Sequence, residues 1–276
     1  MSIKIYKELE QGSDEWLQAR AGLVTASTVG LLISTRTLGA IEYDCPDCDG
    51  QTGFACQSKP NKDGETRDLK TMHTARAEVA REHAKQVLVP AFGDTAMSLT
   101  KALTAERITG HVEPSPTSRA MERGTLDEPF AREHYAEHYT PVAEIGFMTR
   151  TFKGFTLGYS PDGLVGEDGL IEIKSRSQKK QLEAFLTDEV PVENMAQLQA
   201  GLLASGRAWI DYVSYCGGMP LFVKRVYPDP AWQKVIIQAA GRFESLATNM
   251  ASAYLEKTAG LPLTKRIDHF ADMEVW

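Results

Sequence analysis

The sequence predicts an α/β (α+β) fold, a central mixed β-sheet flanked by helices, and three features of the chain predict it. Helical patterning dominates residues 66–139, short β-rich segments broken by Gly- and Asp-containing turns fill 142–174, and helices, strands and a long amphipathic helix follow to residue 257. Helices, a strand cluster, then alternation is the element order of a sheet covered by helices.

The 276 residues make one large domain or two small ones on a prior of about 100–200 per domain. With 42% apolar and 24% charged residues the composition is that of an ordinary globular protein. No run approaches the roughly 18 apolar residues of a membrane span, and Met1–Trp16 lacks the apolar core of a secretory signal. A cytoplasmic location is expected. A net charge of −7 argues against a protein that coats nucleic acid by bulk electrostatics, but not against a nuclease, whose metal-binding carboxylates are themselves acidic.

The elements follow in order. A helix is expected over Asp14–Arg20, a turn at Gly22, and a second helix begun by Thr25 or Ser27 and running to Ile33. From Ser34 to about Pro60 the chain is rich in Gly, Asp, Cys, Pro and Gln and cannot build a core alone. Residues 66–90 read as a helix stopped by Pro90. Helices are expected over about 95–109, ended by Gly110, and about 117–139. Strands are expected at 142–148, 152–159 and 168–174, with Gly166-Glu167-Asp168-Gly169 as a hairpin turn. Helices at about 177–187 and 191–206, strands at 208–216 and 220–227 and a helix over about 230–257 complete the chain.

The most informative stretch is Ser160-Pro161-Asp162-Gly163 followed by Glu172-Ile173-Lys174. A side-chain period of two puts Glu172 and Lys174 on one strand face and Ile171 and Ile173 on the other. Folding at the 166–169 turn can bring Asp162 beside them. Two such carboxylates can hold one or two Mg²⁺ ions, which polarise a phosphate and activate water, while a lysine orients that water. The same residues also read as a strand with a charged solvent face and an ordinary Pro-Asp-Gly turn. Taken alone, the segment leaves both readings open.

Three further segments stand in order around it: Gln11-Gly12-Ser13-Asp14-Glu15-Trp16 with Arg20 and Thr25-Ala26-Ser27; Gly124-Thr125-Leu126-Asp127-Glu128; and Asn194-Met195-Ala196-Gln197-Leu198-Gln199 beyond the Asp162 and Glu172 pair. With these the chain resembles the lambda exonuclease and YqaJ-like viral recombinase family of the PD-(D/E)xK nucleases, over about 200 residues. The resemblance implies a restriction-endonuclease-like core and catalytic residues Glu128, Asp162, Glu172 and Lys174. Asp162, Glu172, the backbone carbonyl of Ile173 and Glu128 would hold Mg²⁺, with Mn²⁺ as a substitute. Arg20, Ser27 and Gln199, with Gln197 more weakly, would line a pocket for a 5′-phosphate. Thr125-x-x-Glu128 also fits a capping box, Ser27 also fits a plain helix cap, and Trp16 fits core or a wedge near the DNA. The implied activity is 5′→3′ digestion of one strand of linear double-stranded DNA by two-metal phosphodiester hydrolysis, leaving 3′ single strands for recombination with a single-strand annealing protein. A homo-oligomer, a trimeric ring, and a phage or prophage setting in the host cell come with it. A structure-specific endonuclease, a single-strand nuclease of the RecB type, and a non-catalytic DNA-binding module are the alternatives.

The chain departs from the family pattern in an insert. Its expected limits are 41–92, with 1–40 and 93–276 as the exonuclease core. The spacing of Cys45, Cys48, Cys56 and His73 suits a structural Zn²⁺ in a closed four-ligand site, with His83 as the alternative fourth ligand. The segment resembles a short phage finger of the form CPxC…C…H-x-x-R, ending here at His73-Thr74-Ala75-Arg76. Duplex capture and partner docking are both compatible with such a segment, and the sequence does not choose between them. Cys216 reads as buried core.

Overall fold

Leu170-Ile171-Glu172-Ile173 is buried on both faces, so the strand that carries it needs cover on both sides. The computed structural model describes residues 2–48, 50–113 and 118–267. In chain order the strands and α-helices are β1 (Ser2–Tyr6), α1 (Asp14–Arg20), β2 (Val24–Thr25), β3 (Ile33–Thr37), α2 (Thr74–His83), β4 (Gln86–Pro90), α3 (Asp94–Thr109), α4 (Arg119–His138), β5 (Phe147–Phe152), β6 (Phe155–Tyr159), β7 (Gly163–Val165), β8 (Gly169–Ser175), α5 (Gln178–Thr187), α6 (Val192–Ser205), β9 (Trp209–Tyr215), β10 (Phe222–Val226) and α7 (Pro230–Lys257). No described helix is long and apolar enough to cross a membrane.

The strands form two four-stranded mixed sheets, ordered β1-β5-β6-β2 and β10-β9-β8-β7, and a β3-β4 ribbon. In the second sheet β8 and β9 run parallel, and the connection through α5 and α6 supplies the crossover that such a pair needs. Leu170, Ile210 and Tyr212 face the main core, shared with α6, α7 and the first sheet. Ile171, Ile173 and Val213 face a smaller core with Ala131 and Tyr135 of α4. The chain passes from the first sheet to the second at Ser160-Pro161-Asp162, between β6 and β7.

Local chemistry sets the ends of these elements. Asp229 caps α7 by accepting from the Ala231 and Trp232 amides, with Pro230 in the first turn, where its missing N–H costs nothing. Gly110 and Gly206 end α3 and α6 in the left-handed conformation. Ser118 caps α4 by accepting from the Met121 amide, so the helix begins inside the expected segment, whose first residue, 117, lies outside the described residues.

Several expected elements differ. Val24–Thr25 is a short strand parallel to β6 and Val29–Leu32 a 3₁₀ turn, so no helix starts at Thr25 or Ser27. Only Thr74–His83 of residues 66–90 is α-helical; Ala84 ends it at φ 37°, and the β-branched Gln86–Pro90 run pairs with β3. Pro90 sits opposite Ile33 at the end of that ribbon, a position that suits a proline. The expected break between 148 and 152 is absent, because the β5–β6 turn is Lys153-Gly154, with Gly154 at φ 94°. Ser2–Tyr6, unforeseen, adds an exposed edge strand to β5.

The ribbon ties the neck of the insert: Thr37 pairs with Gln86, leaving residues 38–85 to fold beyond it.

Candidate active site

The β7–β8 hairpin pairs Gly163 with Ile171, and one step further in the same register Asp162 falls opposite Glu172. The Asp162 carboxylate accepts from the Ile173 amide at 2.6 Å, which pins the β6–β7 crossing to β8. Glu172 is 1% exposed. It accepts from Lys174 Nζ at 2.8 Å, from the Tyr159 hydroxyl at 3.3 Å and from the Gln197 amide. Glu128 of α4 faces the same cleft and pairs with Arg132 one turn on. Arg132 also donates to the Asp162 carbonyl at 2.8 Å and pairs with Glu144 at 2.8 Å. Asp162, Glu172, Ile173, Lys174 and Glu128 thus line one open cleft of about 450 Å³.

The electrostatics follow from crowding. Burial, then the Glu172 charge, pushes the Asp162 carboxyl well above the usual carboxylate range, against the pull of Lys174. Burial raises Glu128 too, with Arg132 opposing and Glu172 adding to the rise. Burial acts to lower Lys174, but Glu172 and Asp162 outweigh it and raise the amine, which stays charged. Burial, reinforced by Glu172, raises the Tyr159 phenol, which stays a neutral donor. The three carboxylates are met directly by Lys174 and by Arg132, which Glu144 shares, while Arg20 at the rim is engaged with Trp16 and Ser160. A hard divalent cation with oxygen ligands is the charge such a donor set lacks, so the residues fit Mg²⁺.

The cleft rim is built by the N-terminal segment. Gly22, at φ 67°, turns the chain after α1 so closely against α3 that a Cβ would lie 2.2 Å from Arg107 Cγ. Arg107 and Glu106 hold that turn by donating to the Gly22 carbonyl and accepting from its amide. Arg20 lies over the Trp16 ring at 3.9 Å and donates to Ser160 Oγ at 3.4 Å; the Trp16 indole donates to the same oxygen at 2.9 Å. Burial lowers the Arg20 guanidinium to about 10, with Glu106 opposing. Ser27 is exposed at the cleft, its hydroxyl 3.1 Å from Thr25 Oγ1.

Not every expected position lies here. Gln199 is 0% exposed and outside the cleft lining: its amide donates to the Tyr227 carbonyl and its oxygen accepts from Asp229 N, fixing the start of α7 to α6. Gln197, two residues earlier on the other side of α6, lines the cleft instead. Ser27 lies outside any helix start, so no helix dipole supports it. Thr125 and Glu128 lie inside α4, where the Thr125 hydroxyl donates to the Met121 carbonyl, so they form no capping box. Tyr159, Ser160 and Arg132 were not foreseen; only Arg132, four residues after Glu128 on a helix, carried a readable signal.

In the insert, Cys45, Cys48, Cys56 and His73 bring ligand atoms within 4.8 Å of one another. His73 Nδ1 lies 3.4 Å from Cys45 Sγ, whereas His83 stacks on Tyr43. Three thiols and an imidazole are the donor set of a closed zinc site, and the residues fit that ion. Cys216 is buried and unpaired with another cysteine.

Residues 84–208 match the model of the YqaJ-like viral recombinase domain. The matched span holds Glu128, Asp162, Glu172, Lys174 and Gln197 and starts where the insert closes. The chain is similar in structure to the alkaline exonuclease LHK-Exo from Laribacter hongkongensis, with 26% identity, a TM-score of 0.61, and 91% of this chain and 100% of that one covered. A structure of LHK-Exo in complex with dAMP matches with 27% identity and a TM-score of 0.60 over the same shares. No curated protein sequence matches the chain.

Proposed function

We propose that the protein is a Mg²⁺-dependent exonuclease that degrades one strand of linear double-stranded DNA from a 5′-phosphorylated end. The observation that carries this is the meeting of Asp162, Glu172, Lys174 and Glu128 in one cleft with Arg20 at its rim. The similarity to LHK-Exo, an alkaline exonuclease seen with dAMP, supports the same activity and a mononucleotide product.

Asp162, Glu172 and the Ile173 carbonyl, with Glu128, would hold Mg²⁺, which lowers the pKa of water and offsets phosphate charge when bound. Lys174, kept charged by Glu172, holds the attacking water and screens the phosphate. Gln197 and Tyr159 fix Glu172 in place. Arg20, flattened on Trp16, presents its planar fork to the terminal phosphate beside the Ser27 hydroxyl. Attack of water on phosphorus breaks the P–O3′ bond and releases a 5′-mononucleotide. The shortened strand again carries a 5′-phosphate, so one pocket serves every cycle. The 3′ single strand left behind is a substrate for an annealing protein in recombination, and a closed homo-oligomeric ring, a trimer, is the assembly that fits processive digestion. The core is 1–40 and 93–276, and within the insert, 41–92, the part before the β4 strand of the ribbon folds around a structural Zn²⁺.

The test is a linear duplex phosphorylated at one 5′ end, incubated with Mg²⁺ beside a covalently closed circle and the Glu172→Ala variant. Loss of the phosphorylated strand from its 5′ end, an intact circle and a dead variant are expected. Cutting of the circle would move the reading to an endonuclease, and binding without cleavage would make the carboxylates structural.

A further inference from the structure

Arg76 is 0% exposed, yet none of its hydrogen-bond partners is a carboxylate. Its Nε donates to the Tyr43 carbonyl at 2.7 Å. One terminal nitrogen donates to the Phe54 carbonyl at 2.7 Å and lies 3.6 Å from Cys56 Sγ; the other donates to the Ile41 and Gln51 carbonyls at 3.1 and 2.8 Å. All these partners are neutral except the sulfur. Asp44 feels the guanidinium, but that carboxylate is on the surface and bound to Thr52. A buried cation needs a counter-charge, and backbone carbonyls alone do not supply one.

The counter-charge is one contact away. Three thiolates, a neutral imidazole and a divalent ion sum to one negative charge. Cys56 Sγ, the sulfur that faces Arg76, also accepts from the His73 amide at 3.4 Å, and Cys48 Sγ accepts from the Gln57 amide at 3.4 Å. Donors thus surround the sulfurs, as they do around metal-bound thiolates. The carbonyls that Arg76 grips come from residues 41, 43, 51 and 54, in the segments that carry Cys45, Cys48 and Cys56.

We propose that Arg76 is the counter-ion of a three-thiolate, one-imidazole zinc centre, and that residues 38–85 fold only when ion and guanidinium are both in place. This rests on the zinc reading. Without the ion, a buried guanidinium is left among neutral acceptors. Without the guanidinium, a negative centre is left buried. The β3-β4 ribbon confines either failure to the insert.

The experiment compares the full chain with Arg76→Met and Arg76→Lys. Zinc content is measured by mass spectrometry, zinc affinity by competition with a chromophoric chelator, and ligand geometry by the absorption of the Co²⁺-loaded protein. Hydrogen exchange with and without chelator reports which segments open. One zinc per chain is expected in the wild type. Arg76→Met should bind zinc about 10–100-fold more weakly, the range for lost outer partners. Arg76→Lys, which keeps the charge but loses the fork, should fall between. Chelation should expose 38–85 while β5–β8 stays protected. If both variants bind zinc within twofold of the wild type, the counter-ion role fails and the zinc reading stands. A folded wild type with no zinc and no thiolate–cobalt absorption overturns both. If Arg76→Met is insoluble, Arg76→Lys and the chelated wild type decide, and an insert that stays protected without metal refutes the proposal.

Discussion

Replacing Arg132 by Met should slow the reaction without unfolding the protein. Arg132 is 14% exposed and joins three groups that must move as one: Glu128 on its own helix, Glu144, and the Asp162 carbonyl at the crossing between the sheets. Met keeps an apolar stem like that of arginine but removes every donor. What is lost is the guanidinium link between the α4 carboxylate and the turn that carries Asp162. A hydrogen bond involving a charged group contributes about 1.5–3 kcal/mol. At about 1.4 kcal/mol per factor of ten, that range predicts a 10- to 100-fold fall in the chemical rate if the link matters only in the activated complex. Glu128, already raised by burial, also loses the cation that opposes that rise, so the variant should need more Mg²⁺ to reach half-maximal rate. Single-turnover digestion of an end-labelled duplex across a Mg²⁺ titration measures both effects, and a thermal melt checks the fold. Rates within twofold of wild type at every Mg²⁺ concentration would show that Glu128 and Asp162 are held without Arg132, and the reasoning would be wrong.

The two α6 glutamines should separate cleanly. Gln197→Ala should lower cleavage several-fold by freeing Glu172, while Gln199→Ala should lower the melting temperature and leave the preference for a 5′-phosphate unchanged; parallel cleavage and melting assays distinguish them. Arg20→Ala should abolish the advantage of phosphorylated over hydroxyl ends, read from rates on the two substrates, because the fork stacked on Trp16 is gone. Asp211→Ala leaves Tyr135 and Arg225 without their shared acceptor, at a cost of about 2–3 kcal/mol, below the range for a fully buried pair because the Arg225 side chain is 43% exposed. A melting temperature lower by about 4–12 °C should follow, on roughly 2–4 °C per kcal/mol. Asp162 and Glu128 hold their protons more tightly when folded than when unfolded. That stability is present below the ordinary carboxylate range and lost as pH rises through the raised values. In Mg²⁺-free buffer the melting temperature should therefore fall more steeply on going from acid to neutral pH than it does with Mg²⁺ added; identical pH profiles would contradict the assignment.

How much of this the sequence could reveal depended on whether a feature is local or assembled. The Asp162–Glu172–Lys174 group was legible because a hairpin with a short turn fixes which residues oppose one another, and the register that pairs Gly163 with Ile171 needs nothing beyond the local chain. The cysteine spacing was legible for the same reason: Cys45 and Cys48 sit on one turn. The helix expected over 66–90 was too long because Gln86–Pro90 finds its partner in Ile33–Thr37, 49 to 57 positions away in the sequence, and a local pattern cannot see a ribbon closed across an insert. The burial of Glu172 was likewise hidden. Alternation correctly split the strand into two faces, but whether the charged face met solvent or core depended on α6 and Tyr159 arriving from elsewhere to cover it.

The glutamine pair makes the same point at the scale of one helical turn. Gln197 and Gln199 are two residues apart, which on a helix places them about 200° around the axis from each other, so they cannot serve one pocket together. The family pattern selects both, and helix geometry allows only one to face the cleft. Which of them does so is set by the rotation of α6, and that rotation is fixed by Leu198, Ala200, Leu202 and Ala204 against the core and by Gly201 against the Tyr159 ring, where a Cβ would lie 2.8 Å from the ring. The packing that buries α6 therefore also selects the glutamine that reaches Glu172. An enlarged Gly201 side chain should disturb the site through Gln197 and Tyr159 together, although Gly201 itself is buried away from the cleft lining.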